Sequence, residues 1–247
     1  MKKGLIIGKG WVGSKLEKFL EKDFDLITTK RIADAPNCMS INFDENVNQL
    51  ENISDLDFVV VTIPFGKRNT IEELNHRFGN LIQFIKDFKG TILLISSTGI
   101  YPNSENIVQE NTYKDSELKE PYISIENKMK QAFPQLVILR LGGIMGNDRY
   151  ISKYLDFSRE GLDEVANHIH YQDILGVIKE CLTCKSSNTI YNVVAPNHPT
   201  KKEILEYQIN ENLIQPEIKK GKTISPEKLI SELNYQFIRP NPIYFKD

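Results

Sequence analysis

A short apolar run that leads directly into a glycine-rich turn constrains this chain more than any other feature. Leu5–Ile7 is followed by Gly8-Lys9-Gly10-Trp11-Val12-Gly13, and an apolar stripe at helical spacing begins at Val12. In this G-x-G-x-x-G pattern the first glycine permits a tight turn, the second lets the backbone approach a ligand, and the third lets helix pack close to strand. The sequence therefore predicts a turn that binds the pyrophosphate of a dinucleotide at a helix N-terminus.

Apolar, β-branched segments alternate with helical patterns along the chain. The predicted strands are Leu5–Ile7, Leu26–Thr29, Met39–Phe43, Phe58–Ile63, Thr91–Ser96, Val137–Leu141, His168–Tyr171 and Ile190–Val194. Several of them are apolar at consecutive positions, which is typical of strands covered by helices on both faces. Since strand and helix alternate, we expect a doubly wound parallel α/β sheet of the Rossmann type.

The last part of the chain has a different pattern. Prolines and asparagines cluster over residues 192–199, and helical patterns follow at Lys201–Glu211 and Pro226–Leu233. This predicts a small C-terminal α/β lobe beside the sheet. We expect a dinucleotide-binding Rossmann domain over residues 1–195 and a substrate lobe over residues 196–247, with an approximate boundary because their elements interleave.

The end of the second predicted strand indicates which dinucleotide would bind. An NAD site places an acidic residue there to accept from the ribose hydroxyls. Here the strand ends in Thr29-Lys30-Arg31, and two cations with a hydroxyl suit a 2′-phosphate better. The sequence therefore favours NADP, with NAD as the alternative cofactor and a solvated basic loop as the alternative interpretation of the cations.

Several segments together resemble the short-chain dehydrogenase/reductase superfamily, in its extended, NAD-dependent epimerase/dehydratase-like branch. They cover nearly the whole chain in order and spacing. The segments are the glycine turn at residues 8–13, Ile95–Tyr101, Ile138–Gly146, Ile169–Ile174, Ile190–Val194 and Gly221–Ser225.

The resemblance implies roles for particular residues. Ser97 matches the active-site serine or threonine that hydrogen-bonds the substrate oxygen, and the adjacent Ser96 is placed at the cofactor. Pro64 and Phe65 would line the cofactor cleft, and Arg140 would lie beside the nicotinamide.

The acid–base pair of that family, Tyr-x-x-x-Lys, is missing. None of the ten tyrosines has a lysine four residues later. Tyr122 is the best candidate to replace the pair, because Pro121 precedes it and Glu126 follows one helical turn later; an aromatic packing role is its alternative. A shifted alignment pairs Ser124 with Lys128, but serine is a poor proton relay.

Two functions follow from this. The first is a nicotinamide-dependent oxidoreductase, epimerase or dehydratase that acts on a small polar, sugar-like substrate. The alternative is a catalytically inactive NADP(H)-binding sensor, which the missing tyrosine–lysine pair favours. A purely structural protein is disfavoured by the glycine turn.

Other classes of function are not expected. A net charge of −2 and the lack of a basic, aromatic stripe argue against nucleic acid as a partner. No apolar stretch approaches the roughly 18 residues of a membrane helix, and the first apolar run is too short for a signal peptide. We expect a cytoplasmic protein without a membrane partner, without a metal site at His168, His170 and Asp173, and with a homodimer left open.

Overall fold

The computed structural model describes residues 1–65, 69–210 and 219–246. Its strands are β1 (Lys2–Ile7), β2 (Phe24–Lys30), β3 (Cys38–Ser40), β4 (Phe58–Val61), β5 (Thr91–Ser97), β6 (Ile107–Val108), β7 (Val137–Leu141), β8 (Gly143–Met145), β9 (His168–His170), β10 (Thr189–Val193) and β11 (Thr223–Ile224). Its α-helices are α1 (Trp11–Leu20), α2 (Ile71–Phe84), α3 (Tyr122–Ala132), α4 (Tyr171–Thr183), α5 (Lys201–Asn210) and α6 (Glu227–Leu233).

Seven strands form one parallel sheet in the order β3-β2-β1-β4-β5-β7-β10. Strand β1 pairs with β2 on one side and with β4 on the other, both in parallel. Successive strands are thus added on one side of β1 up to β3 and on the other side from β4 onward, which makes the edge between β1 and β4 a topological switch point. Open α/β sheets bind ligands at the carboxyl ends of the strands at such a point. The predicted doubly wound parallel sheet is confirmed.

The predicted apolar stripe of α2 packs into the core of the sheet. Leu74, Phe78 and Leu81 are fully buried, at the spacing that places side chains on one helix face. The helix begins at Ile71 because Thr70 and Glu73 form a capping box: the Thr70 hydroxyl accepts from the Glu73 N–H at 3.1 Å, and the Glu73 carboxylate accepts from the Thr70 N–H at 2.8 Å. Local sequence therefore fixes where α2 starts and which face it buries.

The chain forms two compact units that alternate along the sequence. The first consists of residues 1–100, 118–139 and 181–190, and the second of residues 101–117, 140–180 and 191–247. Their bounds differ from the predicted 1–195 and 196–247, because the chain enters the second unit twice before its C-terminal part. The division into a cofactor domain and a substrate lobe stays a prediction.

Two predicted strands are placed differently from the prediction. The segment His168–Tyr171 does not join the main sheet, since β9 pairs with β8 in a separate two-stranded sheet and Tyr171 already belongs to α4. The predicted strand Met39–Phe43 ends early at Ser40, because the Asp44 N–H donates to the Asn42 side chain and turns the chain away.

The C-terminal elements follow their predicted patterns. Helix α5 covers Lys201–Asn210, and the last predicted residue, Glu211, lies outside the described residues. Helix α6 begins at Glu227, whose N–H donates to the Ser225 hydroxyl at 3.3 Å. In the part of the chain that the structure describes, no helix is long and apolar enough to cross a membrane.

Candidate functional site

The glycine turn is tied to the strands on both sides of β1. Gly8 has a φ of +100°, a conformation that side chains disfavour. Its N–H donates to the Thr29 hydroxyl at 3.1 Å, and the Lys9 N–H donates to the Thr29 carbonyl at 2.7 Å. From the other side the Thr62 hydroxyl donates to the Gly8 carbonyl at 2.5 Å. Thr29 therefore helps to shape the turn from the end of β2.

The three glycines meet different surroundings. A Cβ at Gly13 would lie 2.2 Å from the Gly8 carbonyl oxygen, so helix and strand pack too closely there for any side chain. A Cβ at Gly10 would meet nothing within 4 Å. Gly10 is also the N-cap of α1 and has no side-chain cap, so the first turn of the helix presents N–H groups that lack intrahelical partners. This is the arrangement that an approaching phosphate requires.

A cleft of about 490 Å³ opens beside the turn, within the first unit. Of the residues predicted to bind a cofactor, it is lined by Gly8, Lys9, Gly10, Thr29, Lys30, Arg31 and Pro64. Trp11, Val12 and Gly13 begin α1 directly after it. Among the described lining residues four are cations, with Arg77 as the fourth, and Asp44 is the one carboxylate. The described lining of the cleft therefore carries more cations than carboxylates.

The cation nearest the glycines is engaged within the protein. Lys9 Nζ lies 2.9 Å from both Glu17 and Asp34, and its side chain is only 11% exposed. Hydrogen bonds to Asp34 and Glu17 raise the pKa of Lys9 above its ordinary value. Asp34 also pairs with Lys30 at 2.8 Å, and Lys30 and Lys9 together hold the pKa of Asp34 well below its ordinary value. Lys9 thus links the turn to α1 and to the loop after β2.

Two arginines converge on one carboxylate at the same cleft. Arg31 Nη2 lies 2.7 Å from Asp44 Oδ2, and Arg77 Nε lies 2.6 Å from Asp44 Oδ1. The Arg77 guanidinium beside Asp44 holds the pKa of that carboxyl below its ordinary value. The sequence patterns do not predict Arg77 or Asp44 as functional residues. Only the position of Arg77 on the polar face of α2, four residues after the capping Glu73, could have indicated it.

The two predicted catalytic residues come together within the first unit. Ser97 ends β5 and Tyr122 is the first residue of α3, as its position after Pro121 predicts. A Cβ at Gly99 would lie 3.2 Å from the Ser97 hydroxyl and 3.4 Å from the Tyr122 hydroxyl. Both hydroxyls thus border the same small volume beside Gly99, and both side chains are half-buried.

Aromatic packing positions Tyr122. The Phe65 ring lies edge-on to Tyr122, with centroids 5.5 Å apart, and stacks on Phe78 of α2 at the same distance. Phe65 is buried and is not among the residues that line the cleft. In the structure, Phe65 packs against Tyr122. Its place along the cofactor cleft stays a prediction, because Phe65 does not line the cleft described above.

Neighbouring polar groups of α3 are used inside the fold. The Ser96 hydroxyl donates to Glu126 at 2.6 Å in the core, so Ser96 is turned away from the surface that it was predicted to offer a cofactor. Lys128 Nζ donates to the Asn75 carbonyl of α2 at 2.6 Å. Since Lys128 joins the two helices, the alternative pair of Ser124 and Lys128 has no structural support.

Arg140 belongs to the second unit and is buried to 1% exposure. Its Nη1 donates to the Tyr101 hydroxyl at 2.9 Å, and that hydroxyl donates to the Asn192 side chain at 2.7 Å. Burial raises the pKa of Tyr101. Arg140 is thus engaged in a buried hydrogen-bond network. Its place beside the nicotinamide stays a prediction.

Among the described residues no cluster of three or more metal-ligating side chains occurs. The doubly wound sheet and the glycine turn at its switch point define the class: a Rossmann fold.

Comparisons with known proteins agree with this class. No protein-family model matches the chain. Protein YeeZ of Escherichia coli K12 is 22% identical over 273 aligned positions, which cover 98% of each chain.

Solved structures show the same fold over nearly the whole chain. A putative NAD-dependent epimerase/dehydratase from Methylobacillus flagellatus superposes with a TM-score of 0.77 at 17% identity, covering 99% of this chain and 96% of that one. The human epimerase family protein SDR39U1, solved with NADPH, gives a TM-score of 0.69 at 15% identity, covering 98% and 97%. These likenesses confirm the fold that the resemblance to the extended branch implies.

Proposed function

We propose that this protein is a member of the extended short-chain dehydrogenase/reductase branch that binds a nicotinamide dinucleotide at the glycine turn. The observation that carries the proposal is the open space in front of Gly10, next to an uncapped helix N-terminus. A pyrophosphate fits there because backbone N–H groups and the helix dipole both favour negative charge. The Methylobacillus and human relatives, described as NAD-dependent and as solved with NADPH, support the same class of cofactor.

We further propose that NADP(H) is preferred over NAD(H). Lys30 and Arg31 line the cleft at the end of β2, where an NAD site would place a carboxylate. The Arg31 side chain is 70% exposed, and its guanidinium can turn toward a 2′-phosphate. A guanidinium binds a phosphate through two parallel hydrogen bonds, which a ribose hydroxyl cannot match.

The cofactor preference can be measured with the one tryptophan of the chain. Trp11 begins α1 directly after Gly10, so a dinucleotide bound at the turn should quench its fluorescence. We expect saturable quenching at lower concentrations of NADPH than of NADH. Replacing Arg31 by alanine should weaken NADPH binding about tenfold or more, since hydrogen bonds to charged groups contribute about 1.5–3 kcal/mol. Arg159→Ala, an exposed arginine outside the cleft lining, is the matched control. Equal loss in both variants, or tighter binding of NADH, contradicts the preference.

The reaction we propose is hydride transfer to or from a small polar, sugar-like substrate. The nicotinamide supplies the hydride chemistry when it is bound. The chain supplies two hydroxyls beside Gly99: Ser97 holds the reacting oxygen through a hydrogen bond, and Tyr122 transfers a proton to or from it. Phe65 fixes the orientation of the Tyr122 ring, so the hydroxyl stays at that position.

The alternative function is that of an NADP(H) sensor without turnover. The observation that favours it is Glu126, which stands where the usual pair would place a lysine relative to Tyr122 and is bonded to Ser96. Oxidation of NADPH in the presence of small polar aldehydes and keto sugars distinguishes the two functions. An enzyme turns over, and Tyr122→Phe lowers kcat by about 10²–10⁴ while NADPH binding is kept. Tight NADPH binding without turnover on any of these compounds favours the sensor.

A further inference from the structure

The two guanidinium groups at the cleft have an arrangement that sequence patterns do not reveal. Arg31, Asp44 and Arg77 form what we call the arginine bridge: one carboxylate with a guanidinium on each oxygen, at 2.7 and 2.6 Å. Arg31 follows β2, Asp44 follows β3, and Arg77 lies on α2. Three separate elements thus direct charged groups to one point of the cleft lining.

Among the described residues, the bridge leaves hydrogen-bond donors of both guanidiniums unused. A guanidinium carries five N–H donors. Among the described residues, Arg31 contacts Asp44 through Nη2, whereas Arg77 contacts Asp44 through Nε and reaches the Asn69 side chain through Nη2 at 3.4 Å. The remaining donors of both forks are available to another anion. Because a phosphate monoester offers three acceptor oxygens, it can engage both forks at once.

The two arginines differ in mobility. The Arg31 side chain is 70% exposed, whereas that of Arg77 is 12% exposed and held by Asp44 and Asn69. An exposed side chain loses conformational entropy when it binds, and a side chain already held in place loses little. Arg77 is therefore the preorganised partner, and Arg31 is the partner that closes on the ligand.

Asp44 could instead accept hydrogen bonds from the ribose hydroxyls of NAD. Each of its two oxygens already accepts a hydrogen bond from a guanidinium, and the pKa of its carboxyl is held low by Arg77 and Arg31. A neutral hydroxyl competes poorly with guanidiniums for such a carboxylate, whereas a phosphate can bind the guanidinium donors that Asp44 leaves unused.

We infer that Arg77 is a specificity-determining residue, which together with Arg31 binds a phosphate monoester on the ribose of the dinucleotide through the guanidinium donors that Asp44 leaves unused. The inference rests on the proposed function. It adds to the recognition of the cofactor a residue of α2 that lies 46 positions after Arg31 in the sequence.

The test uses two fragments that differ only in this phosphate. Calorimetric titration with 2′,5′-ADP and with 5′-AMP is carried out on the wild type, Arg77→Met, Arg77→Lys and the control Arg159→Met. We expect the wild type to bind 2′,5′-ADP more tightly. Arg77→Met should weaken 2′,5′-ADP about 10- to 100-fold and 5′-AMP less than about threefold, because only the first ligand loses a charged hydrogen-bond partner. Arg77→Lys, which keeps the charge without the fork, should fall in between.

Each outcome supports or overturns the inference. Equal weakening of both fragments in Arg77→Met shows that Arg77 only supports the cleft wall, and unchanged binding shows that it does not contact the phosphate; either result overturns it. Thermal unfolding of each variant reports whether it folds. If Arg77→Met does not fold, the ratio of the affinities for 2′,5′-ADP and 5′-AMP is compared between Arg77→Lys and the wild type. A smaller ratio in Arg77→Lys supports the inference, and an unchanged ratio overturns it. Failure of the wild type to bind any fragment or dinucleotide instead refutes the proposed function. Wild-type NADPH binding with unchanged discrimination in the variants refutes this inference alone.

Discussion

Replacing Gly10 and Gly13 separately by alanine should produce different defects, although the two residues belong to one motif: Gly13→Ala should lose stability and Gly10→Ala should lose affinity for NADPH. The methyl group of Gly13→Ala would lie 2.2 Å from the Gly8 carbonyl oxygen, which belongs to rigid backbone. Overpacking of this kind costs about 3 kcal/mol at its upper range, and the better helix propensity of alanine offsets about 1 kcal/mol. We expect a net loss of about 2 kcal/mol, which lowers Tm by about 4–8 °C in a chain of this size.

Gly10→Ala should leave stability unchanged. Its Cβ meets nothing within 4 Å, and the backbone at Gly10, with φ −88° and ψ −155°, is an extended conformation open to alanine. We expect a change in unfolding free energy within about 0.5 kcal/mol. The same methyl group stands where the pyrophosphate would approach, so NADPH affinity should fall about 10- to 100-fold.

Thermal unfolding of both variants, followed by calorimetric titration with NADPH, tests this pair. Wild-type NADPH binding by Gly10→Ala would contradict this prediction, because the open space in front of Gly10 would then not hold the ligand. The prediction is also refuted if Gly13→Ala is as stable as the wild type, since the helix could then retreat from the turn without cost.

Three further predictions concern stability. Ser96→Ala removes a hydrogen-bond donor from the buried Glu126 carboxylate and should cost about 1.5–3 kcal/mol in urea unfolding, with NADPH affinity nearly unchanged; a larger effect on affinity than on stability would restore Ser96 to the cofactor site. Asp173 accepts from the Tyr235 hydroxyl and from the Ile238 and Arg239 N–H groups. Asp173→Ala should therefore lower Tm by about 6–12 °C, from a loss of about 3 kcal/mol, and a drop of under about 2 °C would contradict this. Burial lowers the pKa of His168 and of His198 from 6.5 to about 4. Since the unfolded chain then binds more protons, unfolding free energy should decrease as pH falls from 6.5 to 4, by up to about 1.4 kcal/mol per pH unit for each histidine, and His168→Gln should reduce that slope; an unchanged slope would contradict it.

The sheet and the glycine turn could be predicted because their signals are local. Phe58–Val61 is apolar at every position, which identifies a strand covered on both faces, and that strand is buried along its whole length. The turn at Gly8 follows from the spacing of three glycines between a strand and a helix, and the three positions have the distinct surroundings that this spacing implies.

The parts that could not be predicted depend on contacts between distant segments. Arg77 contacts Asp44 across 33 residues, and the sequence shows only a polar position on the polar face of a helix. The resemblance implies a place for Arg140 beside the nicotinamide, and it gives no sign of the buried hydrogen bond from Arg140 to Tyr101. The apolar residues on both sides of Arg140 in Val137–Leu141 indicate that its side chain is buried, but they do not indicate which residue it contacts.

Calorimetric titration of the wild-type protein with NADPH and with NADH measures whether the glycine turn binds a nicotinamide dinucleotide and whether NADP(H) is preferred. We expect one saturable site for each, with NADPH bound at least about tenfold more tightly because of the charged contacts to its additional phosphate. No saturable heat with either dinucleotide, or a clear preference for NADH, would contradict this expectation.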